Sequence, residues 1–346
     1  CPVSSPCSSA RPQGGVAAPM TSPGAPSPTA SPALSMAARA DLYRQLASLL
    51  SPGSTARFDE PLSRHTTWGV GGPADLYVEP GSESDLLAAL RFARLHQIRL
   101  RVIGSGSNLL VLDHGFRGII VCLRHPCFRS IEPARDQLRC GAGAPLAAIV
   151  REAARARLGG LEFLEGIPGT VGGALRMNAG AMNRSFFDVL LRVRFMSLDG
   201  AVSEIAAAEL QAGYRSCPFF ETHIALSATL QAAPSPPETI RRLIALYRRR
   251  RQAQPAGRSA GCTFKNPGAI SAGQLIDELG LKGARVGHAV VSTVHANFIL
   301  NDGGATARDI LALLDRIRSE VRSRRGIQLE PEVQIIGGEP APAPMP

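Results

Sequence analysis

Lysine is almost absent from this chain of 346 residues: Lys265 and Lys282 are the only two, although Lys and Arg together number 38. The formal charge of +10 is therefore carried by arginine. Aromatic side chains are also scarce, with one Trp and four Tyr. That shortage, and the dispersal of the arginines, argues against a nucleic-acid surface of interleaved basic and aromatic residues. Several anionic small molecules would suit the charge as well, and coding bias is the plain alternative. The one dense run, Arg248–Arg251, closes a helical pattern before Pro255 and reads as a solvated face. No apolar run approaches the ~20 residues of a membrane helix. The seven cysteines are odd in number and lack CxxC spacing, so neither a zinc site nor a disulfide framework is expected. Reduced thiols in a cytoplasmic protein are the simplest account.

Residues 1–36 are rich in Pro, Ser, Ala and Gly and nearly uncharged. They cannot bury enough apolar surface to offset their ordering entropy, and they lack the basic start and apolar stretch of a signal peptide. A disordered tail is expected there, with Met36 as a start, and a second tail at 339–346. Strand and helix patterns alternate between them. A capped helix is expected from Ser82 to about His96, a strand at Leu100–Ile103, and a further strand at 118–123. A second amphipathic helix covers 145–157. A glycine-rich stretch occupies 159–180, and short strands with turns fill 187–232. A proline-marked joint at 233–237 precedes a helix to about Arg251. Helices at 272–279 and 305–325 follow, among short strands.

Three motifs carry chemistry. In Gly104-Ser-Gly-Ser-Asn108, glycines let backbone N–H groups approach a phosphate, and Ser and Asn add donors. A strand-like Leu-Leu-Val follows instead of a helix, so a Rossmann fingerprint is a poor reading. A simple turn between strands is at least as common. Gly166–Ala174, continuing to Met177–Gly180, has the density of small residues that lets backbone lie against a flat ring or pyrophosphate; a tight packing crossover is the alternative. Ser259–Pro267 places Cys262, Lys265 and Asn266 within five residues, beside a stiffening proline.

The order of Thr66–Ala74, Gly104–Val111, Gly166–Ala181, Tyr214–Cys217, Ser259–Pro267, Gly280–Gly283, His295–Phe298 and Leu329–Val333 resembles the UDP-N-acetylenolpyruvoylglucosamine reductase family. The resemblance covers about residues 58–338. The short link between Tyr214 and the Ser259 motif is similar to the family's compact type.

The resemblance implies an α+β fold: a two-subdomain FAD-binding region of the vanillyl-alcohol-oxidase-like kind, then a smaller α+β substrate-binding domain. Carried onto this chain, the subdomains are 58–123 and 124–233, and the substrate-binding domain is 238–338. It implies FAD held without a covalent link, NADPH as reductant, and a UDP-sugar as substrate. Gly104, Ser105, Gly106, Ser107, Asn108 and Leu109 would hold the FAD pyrophosphate. Ile167, Pro168, Gly169, Thr170, Gly172, Gly173, Asn178 and Gly180 would line the flavin, with Thr66 and Thr67 as further neighbours. Arg215 would stabilise the enolate-like anion that hydride addition creates. Cys262, where the family often has serine, would donate the proton. Glu332 would act on the enolate or its proton relay; Glu330, two residues away, would share its face on a strand. Tyr214, Lys265, Asn266, Lys282 and His295 match substrate-contact positions. No metal, nucleic-acid or membrane partner is implied, and a monomer is expected. The alternative is a related FAD-dependent oxidase or dehydrogenase acting on another small substrate.

Overall fold

The chain's computed structural model describes residues 35–338. The tails expected to be disordered lie outside the described residues, except for Ser35 and Met36. These two belong to structure: Met36 opens helix α1 (Met36–Leu49), and the Ser35 hydroxyl accepts from Ala38 N at 3.2 Å. A serine ahead of a helical stretch satisfies one of its orphan N–H groups, so the helix starts one residue inside the expected tail.

The first sheet runs in the order Thr55–Pro61, Pro73–Glu79, Phe116–Cys122, Leu100–Ile103. Only the first pair is antiparallel; the inner strand Pro73–Glu79, between an antiparallel and a parallel neighbour, is buried on both faces. Alternation divides its side chains. Leu76, Val78, Ile119 and Val121 face one core, and Tyr77, Ile120 and Cys122 face another. Helix α2 (Glu83–Leu95) covers the first of these with Leu86, Ala89, Leu90 and Phe92, and Ser82 caps it by accepting from Asp85 N.

The second sheet is wholly antiparallel, in the order Val202–Ala206, Leu190–Ser197, His223–Gln231, Gln137–Gly141, Ile131–Pro133. Helix α3 (Leu146–Arg155) packs its apolar stripe, Leu146, Ile149, Val150 and Ala153, into the same core. Inside the glycine-rich stretch the chain turns into helix α4 (Val171–Met177). Two glycines weaken a helix intrinsically. Here the Thr170 hydroxyl caps it and Val171, Ala174 and Leu175 are buried, so packing overrides propensity.

Helix α5 (Pro237–Gln252) leads to the C-terminal region, where helices α6 (Ala272–Glu278) and α7 (Ala307–Arg325) share a core with the small sheet Arg285–Val286, Ala289–Val291, Ile299–Asn301. This core also takes Trp68, Val70 and Leu110 from the N-terminal half. Trp68 Nε1 donates to Ile299 O at 2.8 Å, and Asn301 Nδ2 donates to Trp68 O at 2.8 Å. The last strand, Gln334–Ile336, returns to pair in parallel with Leu109–Val111. That return places 329–333 beside the loop 104–108. Among the described residues no helix is long and apolar enough to cross a membrane, and no group of three or more His, Cys, Asp or Glu side chains could hold a metal.

Candidate active site

Arg215 sits at the tip of a tight hairpin. Gly213 N donates to Ser216 O at 2.8 Å, and the two residues between them turn the chain. Arg215 itself has φ of +57°, a left-handed conformation that costs a side-chain-bearing residue about 1–2 kcal/mol. Its side chain is held at both ends of the fork: Nε donates to Glu332 Oε1 at 2.7 Å and Nη2 donates to Gly180 O at 3.1 Å. Its guanidinium also lies over the Tyr214 ring, 5.1 Å from the centroid, while Tyr214 itself is more than half exposed.

Cys262 follows Gly261 and pairs by its backbone with Phe298. The neighbouring segment is stapled by one carboxamide. Asn297 Oδ1 accepts from Phe264 N at 2.9 Å, its Nδ2 donates to Phe264 O at 2.8 Å, and Thr263 N donates to Asn297 O at 2.8 Å. Burial pushes the Cys262 thiol up to about 11; the nearby Glu332 charge acts in the same direction, and Arg215 and Arg251 act against both. The thiol is therefore protonated at neutral pH.

Glu332 is fixed from its backbone: its N–H donates to Thr263 O at 2.8 Å, and its carbonyl accepts from Asn108 Nδ2 at 3.1 Å. Burial raises its carboxyl above the usual range, although Arg215 and Lys265 pull it down. The strand alternation expected for 330 and 332 is not observed, because no strand forms there. Glu330 instead turns to solvent and pairs with Lys265 Nζ at 2.6 Å, its side chain 69% exposed against 14% for Glu332. The two glutamates have different surroundings, and only Glu332 meets Arg215.

The two glycine-rich segments meet each other. Ser107 Oγ donates to Pro168 O at 3.0 Å, and Thr67 N donates to Gly106 O at 3.2 Å. Gly106 has φ of +69°, and a Cβ there would overlap the His65 carbonyl, so no larger residue fits. Ser105 Oγ is buried with no hydrogen-bond partner among the described residues. A buried hydroxyl without a partner is costly, and a ligand oxygen would relieve it. The loop Gly104–Asn108 therefore fits a phosphate-bearing cofactor. Leu109 leads from it into the core, and Ile167, in the second segment, is buried in another part of the core. Gly172 N donates to Ala142 O and Gly173 N to Thr170 Oγ1, so part of the second segment is anchored within the fold. Asn178, left-handed at φ 38°, ends α4; its side chain bridges Gly213 O and Phe187 N, and so ties the motif to the Arg215 hairpin. Gly180 offers its carbonyl to Arg215.

Lys282 and His295 come together elsewhere. They line an open cleft of about 390 Å³ with Gln274 and Asp277, and Lys282 Nζ pairs with Asp277 at 2.6 Å. No hydrogen bond or ion pair among the described residues joins Lys282 to Cys262; the partner of Lys282 is Asp277. His295 Nδ1 accepts from Asn297 N at 3.1 Å, and burial holds its pKa below the ordinary value. Asn266 Oδ1 accepts from Ala272 N at 3.0 Å, bracing the loop that carries Lys265.

Two residues had no assigned role in the sequence. Asn297 is one; its place two residues after His295 was the available signal. Arg251 is the other. The run 248–251 is not simply a solvated face: Arg248 Nε pairs with Glu165 Oε1 at 3.0 Å, and Arg251 folds inward toward Cys262 and Arg215. Helical spacing sends side chains three residues apart to one side, and α5 lays that side against 162–166. The described cysteines, Cys122, Cys127, Cys140, Cys217 and Cys262, are free thiols.

Residues 252–336 match the family described as UDP-N-acetylenolpyruvoylglucosamine reductase, C-terminal domain, and residues 74–206 match the FAD binding domain family. A UDP-N-acetylenolpyruvoylglucosamine reductase of Rubrobacter xylanophilus is 42% identical over 286 residues, covering 82% of this chain and 95% of the relative. One of Syntrophus aciditrophicus is 41% identical over 301 residues, covering 86% and 96%. The crystal structure of the reductase from Thermus caldophilus superposes with a TM-score of 0.70 at 40% identity, covering 82% of this chain and 98% of that one.

Proposed function

The chain belongs to the UDP-N-acetylenolpyruvoylglucosamine reductase family, and on that premise we propose how its own residues carry the reaction. The enzyme is an FAD-dependent reductase that uses NADPH to convert UDP-N-acetylglucosamine enolpyruvate into UDP-N-acetylmuramate, in peptidoglycan precursor synthesis. Bound FAD supplies the hydride relay between NADPH and the enolpyruvyl group.

Gly104–Leu109 is assigned to the FAD pyrophosphate, with Ser105 Oγ as a donor that has no competing protein partner. Ile167–Thr170, Gly172, Gly173, Asn178 and Gly180 are assigned to the flavin. Residues 58–123 and 124–233 are read as the two FAD-binding subdomains, and 238–338 as the substrate-binding domain.

When hydride arrives at C3 of the enolpyruvyl group, the double-bond pair moves onto C2 and its carboxylate. Arg215 meets that charge with a guanidinium already oriented by Glu332 and Gly180, so little reorganisation is needed. Cys262 then gives its S–H proton to C2, and its sulfur keeps the electron pair until a proton returns. A thiol held near 11 is a weaker acid than free cysteine but remains loaded at every physiological pH. Glu332, held against Arg215 and close enough for its charge to act on the thiol, is assigned to the relay that returns the proton to the sulfur. Tyr214, Lys265, Asn266, Lys282 and His295 are assigned to the rest of the UDP-sugar; a lysine ammonium suits a diphosphate.

The observation that supports this reading best is the meeting of Cys262, Arg215 and Glu332 from three distant stretches of chain. We read the working form as a cytoplasmic monomer acting on small molecules, which sedimentation of the purified protein would test. Anaerobic stopped-flow tests the chemistry. NADPH should bleach the flavin, and the enolpyruvyl UDP-sugar should restore its absorbance in a single turnover. Reduction without restoration would reject the substrate assignment.

A further inference from the structure

We propose that Arg251 is a second cation of this pocket, gripping the carboxylate of the enolpyruvyl group as negative charge builds on it. The proposal rests on the reductase reading above and adds a residue to it.

Three observations point to Arg251. First, its side chain is laid across Gly166. A Cβ on Gly166 would come within 2.8 Å of Arg251 Cγ, and Gly166 has φ of +71°, so the glycine leaves the room that the arginine fills. Arg251 thus crosses the residue immediately before the segment assigned to the flavin. Second, Arg251 lies close enough to Arg215 and to the Cys262 sulfur for the Arg215 charge to weigh against its own and for its own to favour an ionised sulfur. Third, it has no counterion. Nη1 donates to the neutral carboxamide of Gln254 at 3.2 Å, and no carboxylate pairs with it among the described residues. Its neighbour Arg248, by contrast, has Glu165.

The charges around the thiol do not balance. Arg215 and Arg251 are positive, Glu332 is the one carboxylate paired there among the described residues, and the thiol is neutral. Burying a guanidinium without an anion is unfavourable, and burial does lower the readiness of Arg251 to hold its proton. A substrate anion in that gap removes the penalty. A carboxylate matches the planar fork, and its charge rises as hydride is delivered, so the grip tightens in the transition state. Arg215 and Arg251 would approach the anion from separate elements, the 213–216 hairpin and the end of α5.

The test uses the FAD-loaded enzyme and its Arg251→Gln and Arg251→Lys variants in anaerobic stopped-flow, with flavin content read from absorbance. Reoxidation by the enolpyruvyl UDP-sugar should fall about 100-fold in Arg251→Gln. Arg251→Lys should recover part of that loss. Flavin reduction by NADPH should fall far less in both. Adding free guanidinium to Arg251→Ala should restore part of the reoxidation rate, which a purely structural role would not allow. The proposal is overturned if Arg251→Gln reoxidises at the wild-type rate, or if both half-reactions fall equally. Should Arg251→Gln not retain flavin, Arg251→Lys decides: an unchanged reoxidation rate and KM with half the fork lost would reject the grip. If the wild-type enzyme itself is not reoxidised by this substrate, the reductase reading fails instead.

Discussion

Arg215 Nε reaches Glu332 Oε1 at 2.7 Å across 117 residues of sequence. The pair joins a hairpin tip of the second sheet's region to the segment preceding the last strand. It is only partly exposed, 22% and 14% by side chain, so solvent screens it less than a surface pair. The strained φ of Arg215 fits this picture. The turn conformation aims the side chain, and Glu332 and Gly180 hold what it aims.

Replacing Arg215 should therefore damage chemistry more than folding. Arg215→Lys keeps the charge but loses the fork that contacts Glu332 and Gly180 together. Reoxidation of the reduced enzyme by substrate should fall about 10²–10³-fold, the range for losing one oriented donor to a developing oxyanion. Single-turnover absorbance at the flavin band measures it. A loss confined to KM would show that Arg215 only binds.

Removing the thiol separates proton donation from binding. Cys262→Ser should keep part of the second half-reaction, since a hydroxyl can also donate; Cys262→Ala should lose most of it, with flavin reduction by NADPH retained in both. Rapid mixing of reduced enzyme with substrate gives the three rates. Wild-type reoxidation in Cys262→Ala would remove Cys262 from the mechanism.

The raised thiol predicts a pH dependence of its own. With the pKa near 11, about one thiol in 10⁴ is ionised at pH 7. Alkylation of Cys262 by iodoacetamide should climb about tenfold per pH unit up to pH 11, followed by peptide mass spectrometry. Glu332 pushes the pKa up, so Glu332→Gln should move the curve to lower pH and speed alkylation at pH 8. A wild-type plateau near pH 8.5 would mean that the sulfur is not buried as described.

Much of this site was legible in the sequence because its parts are short loops with restricted chemistry. Composition singled out the loop Gly104–Asn108 and the Cys262 segment, whereas Arg215 was marked by the family resemblance alone, and the fold sets Arg215 against Glu332. What escaped depends on tertiary context. Val171–Met177 carries two glycines, so its propensity argues against a helix that only Thr170 and three buried apolar residues explain. Arg251 belongs to a run of four arginines, and nothing local tells which of them turns inward against Gly166. Glu330 and Glu332 differ because 327–333 is irregular, and alternation has no force outside a strand.

Asn297 makes a stability prediction. It is 3% exposed, and its carboxamide satisfies both the N–H and the C=O of Phe264. Asn297→Ala strands both groups inside the protein, at a cost of about 2–4 kcal/mol. Thermal unfolding followed by circular dichroism should show it as a clear fall in Tm. Because the staple also positions Cys262, the surviving folded fraction should reoxidise more slowly per bound flavin. An unchanged Tm would show that water or a shifted backbone replaces both bonds.

Ser105 makes the opposite prediction, affinity without stability. Its hydroxyl is buried and bonds to nothing among the described residues, so Ser105→Ala removes a desolvated donor left for a ligand to use. The flavin-free protein should unfold at the wild-type temperature or slightly above it. Its FAD dissociation constant should rise about tenfold, the equivalent of one hydrogen bond to a charged oxygen. Ser107→Ala is the contrast, because Ser107 Oγ already donates to Pro168 O and links the two glycine-rich segments. Losing that link should weaken FAD binding and lower the Tm together. Fluorescence titration of FAD and paired melting curves separate the two. If Ser105→Ala bound FAD as tightly as wild type, the unpartnered hydroxyl would not be facing the pyrophosphate, and the assignment of Gly104–Leu109 would lose its strongest support.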